Sequence, residues 1–515
     1  MEAFVSTQTH SQLLHPGLDL AEILPHGRLV GSNAVRFHSC CGQWDECESD
    51  DLYVAIVGAD QDGHDFAREA VERGAVAVVT ERLLAVNVPQ ILVNDSRKAY
   101  GEVCHALAGR PSTRLTSIGV SGTDGKTITN HLIASILEVA GFQTGLRSSV
   151  GVRTGIDQAS FDSGTPNPPL IAQQLSQMVL KGSSHAVVEV SCRDLARHNH
   201  AGVSFDVAVL TNIRDTDIDF HVTRENHHRA QLRLISSLKP GGVAVLNLDD
   251  PVSHFLVDQC PCATLTVGMH HEANVNGQLL ERLISQQTFL LTAGTESVAI
   301  CTETIGDEHI YNSLCAAAAA MALGIDLQTI ARGIEKGSKI PGRLESVKCG
   351  QDFGVWVDAA KTPSQLATAI RTVKQVVKGR VWCVCSVGDD FSSTQRKQLG
   401  EIVERAADHV IATRAAAGGI LDFEPMHQFL DGFEHPNSVQ LVPNRFRAIE
   451  WALCRAQAGD AVLITGCGEK PFALSGDSNW AVGDRDVCEA WLHDRASLDQ
   501  RSGDEPDVFN IEDYR

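Results

Sequence analysis

A chain of 515 residues is too long for a single hydrophobic core, and at about 150 residues per domain it should divide into about three domains. Its composition is ordinary for an α/β enzyme, but its net charge is −21, with the acidic excess spread along the chain and a last acidic run from Asp504 to Asp513. This charge excludes a broad basic surface, so we expect no nucleic-acid partner and expect anionic ligands to be held by local groups.

The 15 cysteines are scattered along the chain. Two C-x-C pairs occur, at Cys260/Cys262 and Cys383/Cys385. There is no C-x-x-C, so the spacing predicts neither a zinc site nor a disulfide framework, and buried free thiols in a reducing compartment explain the pattern.

The first ten residues lack a basic region ahead of an apolar stretch, and no segment approaches about 18 consecutive apolar residues. We therefore expect a cytoplasmic protein without membrane insertion.

The first segment alternates short strands and helices, which is typical of a small α/β domain. Strands are predicted at Asp51–Val57, Ala75–Thr80 and Gln90–Val93, and helices at Gly63–Arg73 and Ser96–Leu107. A stretch with glycine and proline at 109–113 marks a boundary. We therefore expect an amino-terminal domain over residues 1–112.

The most informative stretch follows at residues 117–131, because it joins the end of an apolar strand to a glycine-rich turn and the start of a helix. Gly122 and Gly125 allow a tight turn whose backbone N–H groups point inward. Lys126 is placed to reach the outer phosphates of a nucleoside triphosphate, and Thr127 to offer its hydroxyl to Mg²⁺. The stretch therefore predicts a nucleotide site.

The match to the common P-loop pattern is a variant one. Val120 occupies the position of the first glycine in G-x-x-x-x-G-K-[ST], and Gly119 lies one position early. A glycine-rich turn that binds no phosphate is the alternative. The run Gly-Lys-Thr directly after an apolar strand favours the phosphate site.

From Thr116 the pattern becomes the strand-helix repeat of a parallel sheet, with near-continuous apolar strands. These strands are predicted at Ser117–Val120, Ala186–Val190, Val207–Thr211 and Val243–Leu246. Open α/β sheets bind ligands at the carboxyl ends of their strands, where this chain has Glu189, Thr211-Asn212 and Asp249-Asp250. Glu189 is a candidate Mg²⁺ ligand, and a helix cap is an equal alternative.

A third α/β unit is predicted after an alanine-rich helix at Leu314–Leu323 and a linker at Lys339–Val347 that leads into a hairpin or strand. Its strands are predicted at Val355–Asp358, Val381–Ser386, His409–Ala412 and Ala461–Thr465, and its helices at Ser364–Val377, Gln395–Ala407 and Asn444–Ala458. We expect a central domain over 113–341 and a third domain over 342–515. Two α/β units across a linker form a cleft that suits a reaction between two anchored substrates.

Several motifs follow one another along the chain in a set order. The runs are Gly-Val-Ser-Gly-Thr-Asp-Gly-Lys-Thr at 119–127, Thr-Pro at 165–166, Glu-Val-Ser at 189–191, Asp-Val-Ala-Val-Leu-Thr-Asn at 206–212 and Pro-Gly-Arg-Leu-Glu at 341–345. Together they resemble the Mur ligases, the ATP-dependent amino-acid ligases of peptidoglycan synthesis. The amino-terminal runs Asp-Leu-Tyr-Val-Ala and Asp-Gly-His-Asp-Phe are most similar to the branch that adds the third residue to UDP-N-acetylmuramoyl-L-alanyl-D-glutamate. The resemblance extends from about Asp51 to Gly468.

The resemblance implies an α/β fold of three domains: a smaller amino-terminal α/β domain, a central P-loop-type parallel sheet with helices on both faces, and a carboxy-terminal Rossmann-like domain with an acidic tail. It implies that ATP phosphorylates a substrate carboxylate, that an amine attacks the acyl phosphate, and that the tetrahedral intermediate loses phosphate to leave an amide. The implied substrates are a UDP-muramoyl peptide and an amino acid, with ATP and Mg²⁺ as cofactors. We expect a monomer.

The resemblance also implies roles for individual residues, which are carried over by position. Nucleotide contacts fall on Gly122, Thr123, Gly125, Lys126, Thr127, Asn312, Asp358 and Lys361. Metal contacts fall on Thr127, Glu189 and Asp217, and contacts to the muramoyl substrate on Thr165 and Ser191. The implied catalytic residues are Lys126, Glu189 and Arg343. For Lys361, a solvated lysine at a helix start is an equal alternative.

Some positions depart from the family. Gln231 stands where the family has a lysine that is carbamylated to bind a second metal ion, and an amide cannot be carbamylated. Asp217 stands where the family has a metal-binding histidine, and its carboxylate would restore part of the lost negative charge. The acceptor segment reads Arg414-Ala-Ala-Ala-Gly418 in place of the family's Asp-Asn-Pro-Arg. The uridine-side segment reads Gln43-Trp44-Asp45, in which the tryptophan would stack on a base or lie partly buried.

Different classes of function remain open from the sequence. The phosphate loop, Glu189, Asn312, Arg343 and Asp358 occur together and favour an active ATP-dependent ligase. The departures favour a noncatalytic paralogue that binds nucleotide and acts as a partner or regulator. A ligase similar to folylpolyglutamate or cyanophycin synthetase is a further alternative, which fits the amino-terminal segment less well.

Overall fold

The computed structural model describes residues 18–31, 35–58, 60–155, 157–159, 166–214, 223–388, 391–414, 423–473 and 481–498. These residues form three main β-sheets of five, eleven and six strands in chain order, each with helices packed against it. In this part of the chain, no helix is both long enough and apolar enough to cross a membrane.

The amino-terminal sheet consists of short strands joined by helices. The elements are β1 (Leu18–Asp19), α1 (Leu20–Ile23), β2 (Arg28–Val30), β3 (Arg36–Phe37), β4 (Ser39–Cys41), β5 (Asp51–Val54), α2 (Ala67–Arg73), β6 (Ala77–Thr80), β7 (Gln90–Leu92) and α3 (Ser96–Leu107). The five-stranded order is β2-β7-β6-β5-β4, and every pair is parallel except β2 with β7. Strands β1 and β3 pair with each other as a separate two-stranded sheet. The helix predicted from Gly63 begins as a 3₁₀ turn over Gly63–Phe66, and α2 ends at Gly74, whose positive φ of 119° suits glycine.

The central sheet is the largest. Its strands are β8 (Thr116–Ser121), β9 (Thr144–Arg147), β10 (Val152–Thr154), β11 (Asp157–Ala159), β12 (His185–Glu189), β13 (Phe205–Leu210), β14 (Leu238–Asn247), β15 (Ala263–Gly268), β16 (Val275–Leu283), β17 (Gln286–Ala293) and β18 (Glu296–Thr302). The helices are α4 (Lys126–Val139), α5 (Pro168–Leu180), α6 (Cys192–Ala196), α7 (Arg224–Ser236), α8 (Pro251–Val257), α9 (Asp307–Ala322) and α10 (Leu327–Gly337).

The strand order of this sheet is β11-β10-β9-β12-β8-β13-β14-β15-β16-β17-β18. The strands from β9 to β16 in this order pair in parallel, and the predicted parallel strands lie among them. Antiparallel pairs extend the sheet at both ends. Strands β16 to β18 were not predicted because buried and exposed residues alternate along them, so they lack the continuous apolar runs of the parallel strands.

Helices cover both faces of the central sheet, as expected. On β12, Val187 packs into the cluster formed with α4, α9 and α10, whereas Ala186 and Val188 pack into the cluster formed with α5 to α8. On β13, Val209 packs into the first of these clusters and Ala208 packs into the second. Because successive side chains of a strand point to opposite faces, a continuous apolar strand fills both cores at once.

The carboxy-terminal sheet is again mostly parallel. Its elements are β19 (Glu345–Ser346), β20 (Gly354–Asp358), α11 (Pro363–Lys374), β21 (Val381–Ser386), α12 (Ser393–Ala406), β22 (His409–Thr413), α13 (Glu424–Leu430), β23 (Val439–Leu441), α14 (Arg445–Arg455), β24 (Ala461–Thr465), β25 (Phe472–Ala473), β26 (Ala481–Val482) and α15 (Asp484–Leu498). The six-stranded order is β19-β20-β24-β21-β22-β23, and only β19 with β20 is antiparallel. Strands β25 and β26 pair with each other as a separate two-stranded sheet. The domain divisions after residues 112 and 341 lie between the three sheets and stay predictions.

A buried ion pair joins the last helix to this sheet. The guanidinium of Arg445 donates to both carboxylate oxygens of Asp484 at 2.6 Å, and the two side chains are 1% and 0% exposed. The same guanidinium donates to Ser386 Oγ at 2.6 Å and to the Thr465 carbonyl at 2.9 Å. The pair therefore ties α15 to the carboxyl ends of β21 and β24.

We expect Asp484→Ala to lower the free energy of unfolding by about 3–5 kcal/mol, because it leaves the buried charge of Arg445 uncompensated. Urea unfolding followed by circular dichroism measures this loss. Glu72→Ala is the control, since it removes an exposed pair with Arg68, whose side chains are 66% and 82% exposed, and such a pair contributes about 0–1 kcal/mol. Equal losses in the two variants would contradict the role given to the buried pair.

Candidate functional site

The glycine-rich turn lies between the end of β8 at Ser121 and the start of α4 at Lys126. Gly122 has a φ of 140°, and a Cβ there would stand 2.1 Å from Thr211 Oγ1. Gly125 has a φ of 81°, and a Cβ there would stand 2.1 Å from Asn312 Oδ1. Both positions therefore require glycine, for backbone conformation and for space.

The end of strand β13 holds this turn in place. Thr211 Oγ1 donates to the Asp124 carbonyl at 2.6 Å, and the Asp124 N–H donates to Asn212 Oδ1 at 3.0 Å. The Thr123 N–H donates to the Asn212 carbonyl at 3.0 Å, and Thr123 Oγ1 accepts the N–H of Arg214 at 2.9 Å. The turn is thus held by the neighbouring strand end, which the sequence placed at the same edge of the sheet.

Lys126 bends back across the turn. Its Nζ donates to the carbonyls of Gly122 at 2.9 Å and Thr123 at 2.6 Å. The ammonium group therefore lies over the backbone that would surround a phosphate. Both contacts are to neutral carbonyls, which a charged phosphate oxygen would outcompete as an acceptor.

Thr127 and Glu189 meet beside the turn. Thr127 Oγ1 lies 3.1 Å from both carboxylate oxygens of Glu189, and the Ser149 N–H donates to the same carboxylate at 2.8 Å. Glu189 does not cap helix α6, because Ser191 does so: its Oγ accepts the Asp194 N–H at 3.1 Å. The helix-cap alternative for Glu189 is therefore removed, and its carboxylate faces the start of α4.

A buried arginine supports the strand end that carries Glu189. Arg147 donates from one terminal nitrogen to the Glu189 carbonyl at 3.0 Å and from Nε to Gln174 Oε1 at 3.0 Å. Burial lowers the pKa of this guanidinium. Sequence reasoning missed Arg147, because this residue lies on strand β9, which was not predicted.

Asn312 lies on α9, against the turn. Its Oδ1 accepts from Thr129 Oγ1 at 3.3 Å. Its Nδ2 is buried and has no hydrogen-bond partner among the described residues. The amide lies next to Gly125, so an unsatisfied buried donor lies beside the glycine-rich turn.

The linker brings Arg343 to the same region. Arg343 donates to Glu469 Oε2 at 2.8 Å and, from its other terminal nitrogen, to Ser149 Oγ at 3.4 Å. Asp358 accepts the N–H groups of Leu344 at 2.6 Å and Ala360 at 2.7 Å, and burial raises its pKa. Asp358 thus shapes the linker turn, and Arg343 reaches from it to the central sheet.

A second contact between the central and carboxy-terminal sheets was not foreseen. Gln365 Nε2, on α11, donates to Asp124 Oδ1 of the glycine-rich turn at 3.0 Å. No local motif marks a glutamine in the first turn of a helix as a contact to a residue more than two hundred positions away.

Lys361, just before α11, is exposed, and both of its proposed roles stay open.

Gln231 is fully buried beside the last residue of β8. Its Oε1 accepts from Ser121 Oγ at 2.8 Å, and its Nε2 has no hydrogen-bond partner in the described part of the chain. At the position where the resembling family has a charged metal ligand, this chain therefore has a neutral amide whose oxygen is hydrogen-bonded to Ser121.

The other predicted residues have separate outcomes. The Ser191 hydroxyl donates to Asp194 Oδ2 at 2.6 Å and caps α6, so it is engaged within the chain. Trp44 stacks on Phe66 with 5.6 Å between the ring centroids, which is the partly buried alternative. Thr165, Asp217 and the acceptor segment after Arg414 lie outside the described residues.

The geometry fits a nucleoside triphosphate with a divalent cation. A turn with two obligatory glycines leads into the start of a helix, whose first N–H groups favour an anion, and the ammonium group of Lys126 lies over this turn. Thr127 and Glu189 offer the oxygen ligands that Mg²⁺ prefers, and Asn312 offers a spare donor.

Three stretches of the chain match known domain families. They are described as the Mur ligase family, catalytic domain, at residues 37–107, the Mur ligase middle domain at 120–320, and the Mur ligase, glutamate ligase domain, at 342–468. The matches follow the order of the three sheets.

Two bacterial relatives are similar over most of the chain. The UDP-N-acetylmuramoyl-L-alanyl-D-glutamate–2,6-diaminopimelate ligase of Geobacillus kaustophilus (strain HTA426) is 35% identical over 458 residues, which is 87% of this chain and 93% of the relative. The ligase of the same name from Geobacillus thermodenitrificans (strain NG80-2) is 36% identical over 455 residues, which is 86% of this chain and 92% of the relative.

Solved structures share the fold. A structure of UDP-N-acetylmuramoyl-L-alanyl-D-glutamate–2,6-diaminopimelate ligase superposes with a TM-score of 0.66 at 24% identity, covering 93% of this chain and 99% of that one. Mycobacterium tuberculosis folylpolyglutamate synthase, complexed with ADP and AMPPCP, has a TM-score of 0.60 at 17% identity, covering 79% of this chain and 96% of that one. At these identities the two structures show the fold alone.

The sequence relatives support a family assignment that the shared fold alone does not support, because they exceed 30% identity over more than four fifths of the chain. Together with the ordered matches to all three domains, they show that this chain belongs to the Mur ligase family.

Proposed function

We propose that this chain is an ATP-dependent ligase that forms an amide bond between an amino acid and a UDP-N-acetylmuramoyl peptide, with ADP and phosphate as the other products. The relatives are named as ligases of UDP-N-acetylmuramoyl-L-alanyl-D-glutamate and 2,6-diaminopimelate, which supports the dipeptide form of the first substrate. The reaction would serve peptidoglycan synthesis in the cytoplasm, in a monomeric enzyme.

The observation that carries the proposal is the meeting of Thr127 and Glu189 at the start of α4. A hydroxyl 3.1 Å from both oxygens of a buried carboxylate, next to a phosphate-type turn, supports a role for the two residues as ligands of a divalent cation. Mg²⁺ held by these two residues would offset the charge of bound phosphates.

The chemistry needs positive charge, because a carboxylate and a triphosphate must approach each other. Phosphorylating the carboxylate replaces a poor electrophile by one with a leaving group, and cations stabilise the negative charge that develops. Lys126 would exchange its two carbonyl acceptors for phosphate oxygens. Arg343, held by Glu469, would add a second cation on the side of Ser149.

A second candidate function is nucleotide binding without ligation, as a partner or regulator of other enzymes. Gln231 favours it, because this buried amide carries no charge where the family has a carbamylated lysine. The two candidates share the nucleotide site and differ in whether an amide product forms.

We expect purified protein with Mg-ATP and UDP-N-acetylmuramoyl-L-alanyl-D-glutamate to release ADP and form a ligated product with at least one amino acid from a panel that includes 2,6-diaminopimelate. Lys126→Ala should lower this rate at least about 100-fold, because it removes the positive charge over the phosphate turn. Coupled ADP release and mass spectrometry of the product measure both effects.

Lys374→Ala is the matched control, since Lys374 pairs with Asp408 on an exposed face of the carboxy-terminal sheet, and it should leave the rate unchanged. Measurable ATP binding without ligation of any amino acid would overturn the ligase function and support the noncatalytic candidate.

We expect Gln231→Lys to raise ligation in a way that depends on added bicarbonate. A lysine here would become carbamylated and supply the negative charge that the amide lacks, next to Ser121 and the phosphate turn. Initial rates with and without bicarbonate measure the effect, and Gln231→Met, which cannot be carbamylated, is the control. An unchanged rate for Gln231→Lys would mean that the amino-acid site, and not the missing negative charge at position 231, limits the rate of ligation.

A further inference from the structure

Two cysteines and an aspartate come together at the edge of the amino-terminal sheet, in a different sheet from the phosphate turn. Cys41 ends the edge strand β4, Asp51 begins the neighbouring strand β5, and Cys47 lies on the loop between them. Both Sγ atoms and a carboxylate oxygen of Asp51 lie within 4.8 Å of one another. Cys41 is 6% exposed, Asp51 is 5% exposed and Cys47 is 2% exposed, so all three residues are buried.

The loop that carries Cys47 has a defined course. A 3₁₀ turn spans Trp44–Glu46, and the Cys47 N–H donates to the Trp44 carbonyl at 3.3 Å. Arg73 donates to the carbonyls of Cys47 at 3.3 Å and Asp45 at 2.7 Å. The backbone thus directs the second thiol towards the first one without help from a ligand.

The carboxylate of Asp51 is buried, and no ion pair in the described part of the chain involves it. It accepts hydrogen bonds from Ser39 Oγ and from the Glu48 N–H, the latter at 2.8 Å. A carboxylate offers about four lone-pair positions, so two hydrogen bonds leave acceptor capacity. A buried carboxylate without a counter-charge is costly, and a cation bound beside it would remove that cost.

We propose that Cys41, Cys47 and Asp51 bind one thiophilic divalent cation, for which Zn²⁺ is the best match. Two thiolates and a carboxylate are ligands that zinc takes in proteins, at about 2.3 Å from sulfur and 2.0–2.2 Å from oxygen, whereas Mg²⁺ and Ca²⁺ prefer oxygen alone. The three ligand atoms lie at most 4.8 Å from one another. A single point can therefore be placed within about 2.8 Å of all three atoms (4.8 Å divided by √3), which is where the cation would lie. Inward shifts of less than about 1 Å would therefore bring all three ligands into bonding range, and water would take the fourth position of a tetrahedral zinc ion.

Binding breaks two S–H bonds and forms two metal–sulfur bonds, and both protons pass to solvent. No electron is transferred, so no oxidant is required. The cation would join the two ends of the loop at 42–46 to strand β5. This role is structural and does not depend on the proposed ligase activity.

The test uses the full chain, reduced and freed of metal, and titrates it with Co²⁺ and then with Zn²⁺. We expect one equivalent of Co²⁺ to produce a sulfur-to-cobalt charge-transfer absorption, which one equivalent of Zn²⁺ removes. Cys41→Ser and Cys47→Ser should each abolish it, and Asp51→Asn should weaken binding about tenfold or more. Cys260→Ser is the matched control, since Cys260 and Cys262 form a thiol pair 3.3 Å apart outside this cluster, and it should change nothing.

A second measurement needs no variant and so does not depend on how a variant folds. Zn²⁺ should slow the alkylation of Cys41 and Cys47 in the unmodified chain, mapped by mass spectrometry, and leave that of Cys260 unchanged. The proposal is overturned if the unmodified chain gives no charge-transfer absorption, or if the absorption survives in the Cys41→Ser, Cys47→Ser double variant. A disulfide between the two cysteines would also overturn it, because it would consume both ligands.

Discussion

The close approach of strand β13 to the turn after β8 is the constraint on which the candidate site depends. Gly122 packs so near Thr211 that no Cβ fits, and Thr211 in turn binds the Asp124 carbonyl at 2.6 Å. On the opposite side Gly125 packs against Asn312 in the same way. The backbone of the turn is therefore fixed by neighbouring elements before a ligand arrives, which lowers the conformational cost of binding an anion.

The same turn links nucleotide binding to the arrangement of the sheets. Gln365 of the carboxy-terminal unit binds Asp124, and Arg343 of the linker reaches Ser149, whose N–H binds Glu189. The turn and the residue that binds Glu189 therefore both contact groups that lie outside the central sheet.

Much of the fold could be predicted because its strongest signals are local. Strands β21 and β24 and helix α3 have the bounds that the apolar periodicity predicts. Strands β16 to β18 were not predicted, because half-exposed strands alternate in polarity and gain their stability from the partner beside them. The amino-terminal cysteine cluster was not predicted either, because the pairing of β4 with β5, in which Asp51 lies opposite Ser39, brings Cys41 near Asp51 without any known ligand spacing.

The sequence by itself determined the phosphate turn, the strand ends that carry polar residues and the family resemblance, since each lies within a short run of residues whose backbone chemistry is local. Only the tertiary structure decided that Glu189 faces Thr127 instead of capping a helix, that Ser191 is engaged with Asp194, and that Gln231 is buried with one unsatisfied donor. Those outcomes depend on which side chains meet across strands and helices far apart in the chain. The physical reason is that burial and pairing are set by packing between elements, which no single segment encodes.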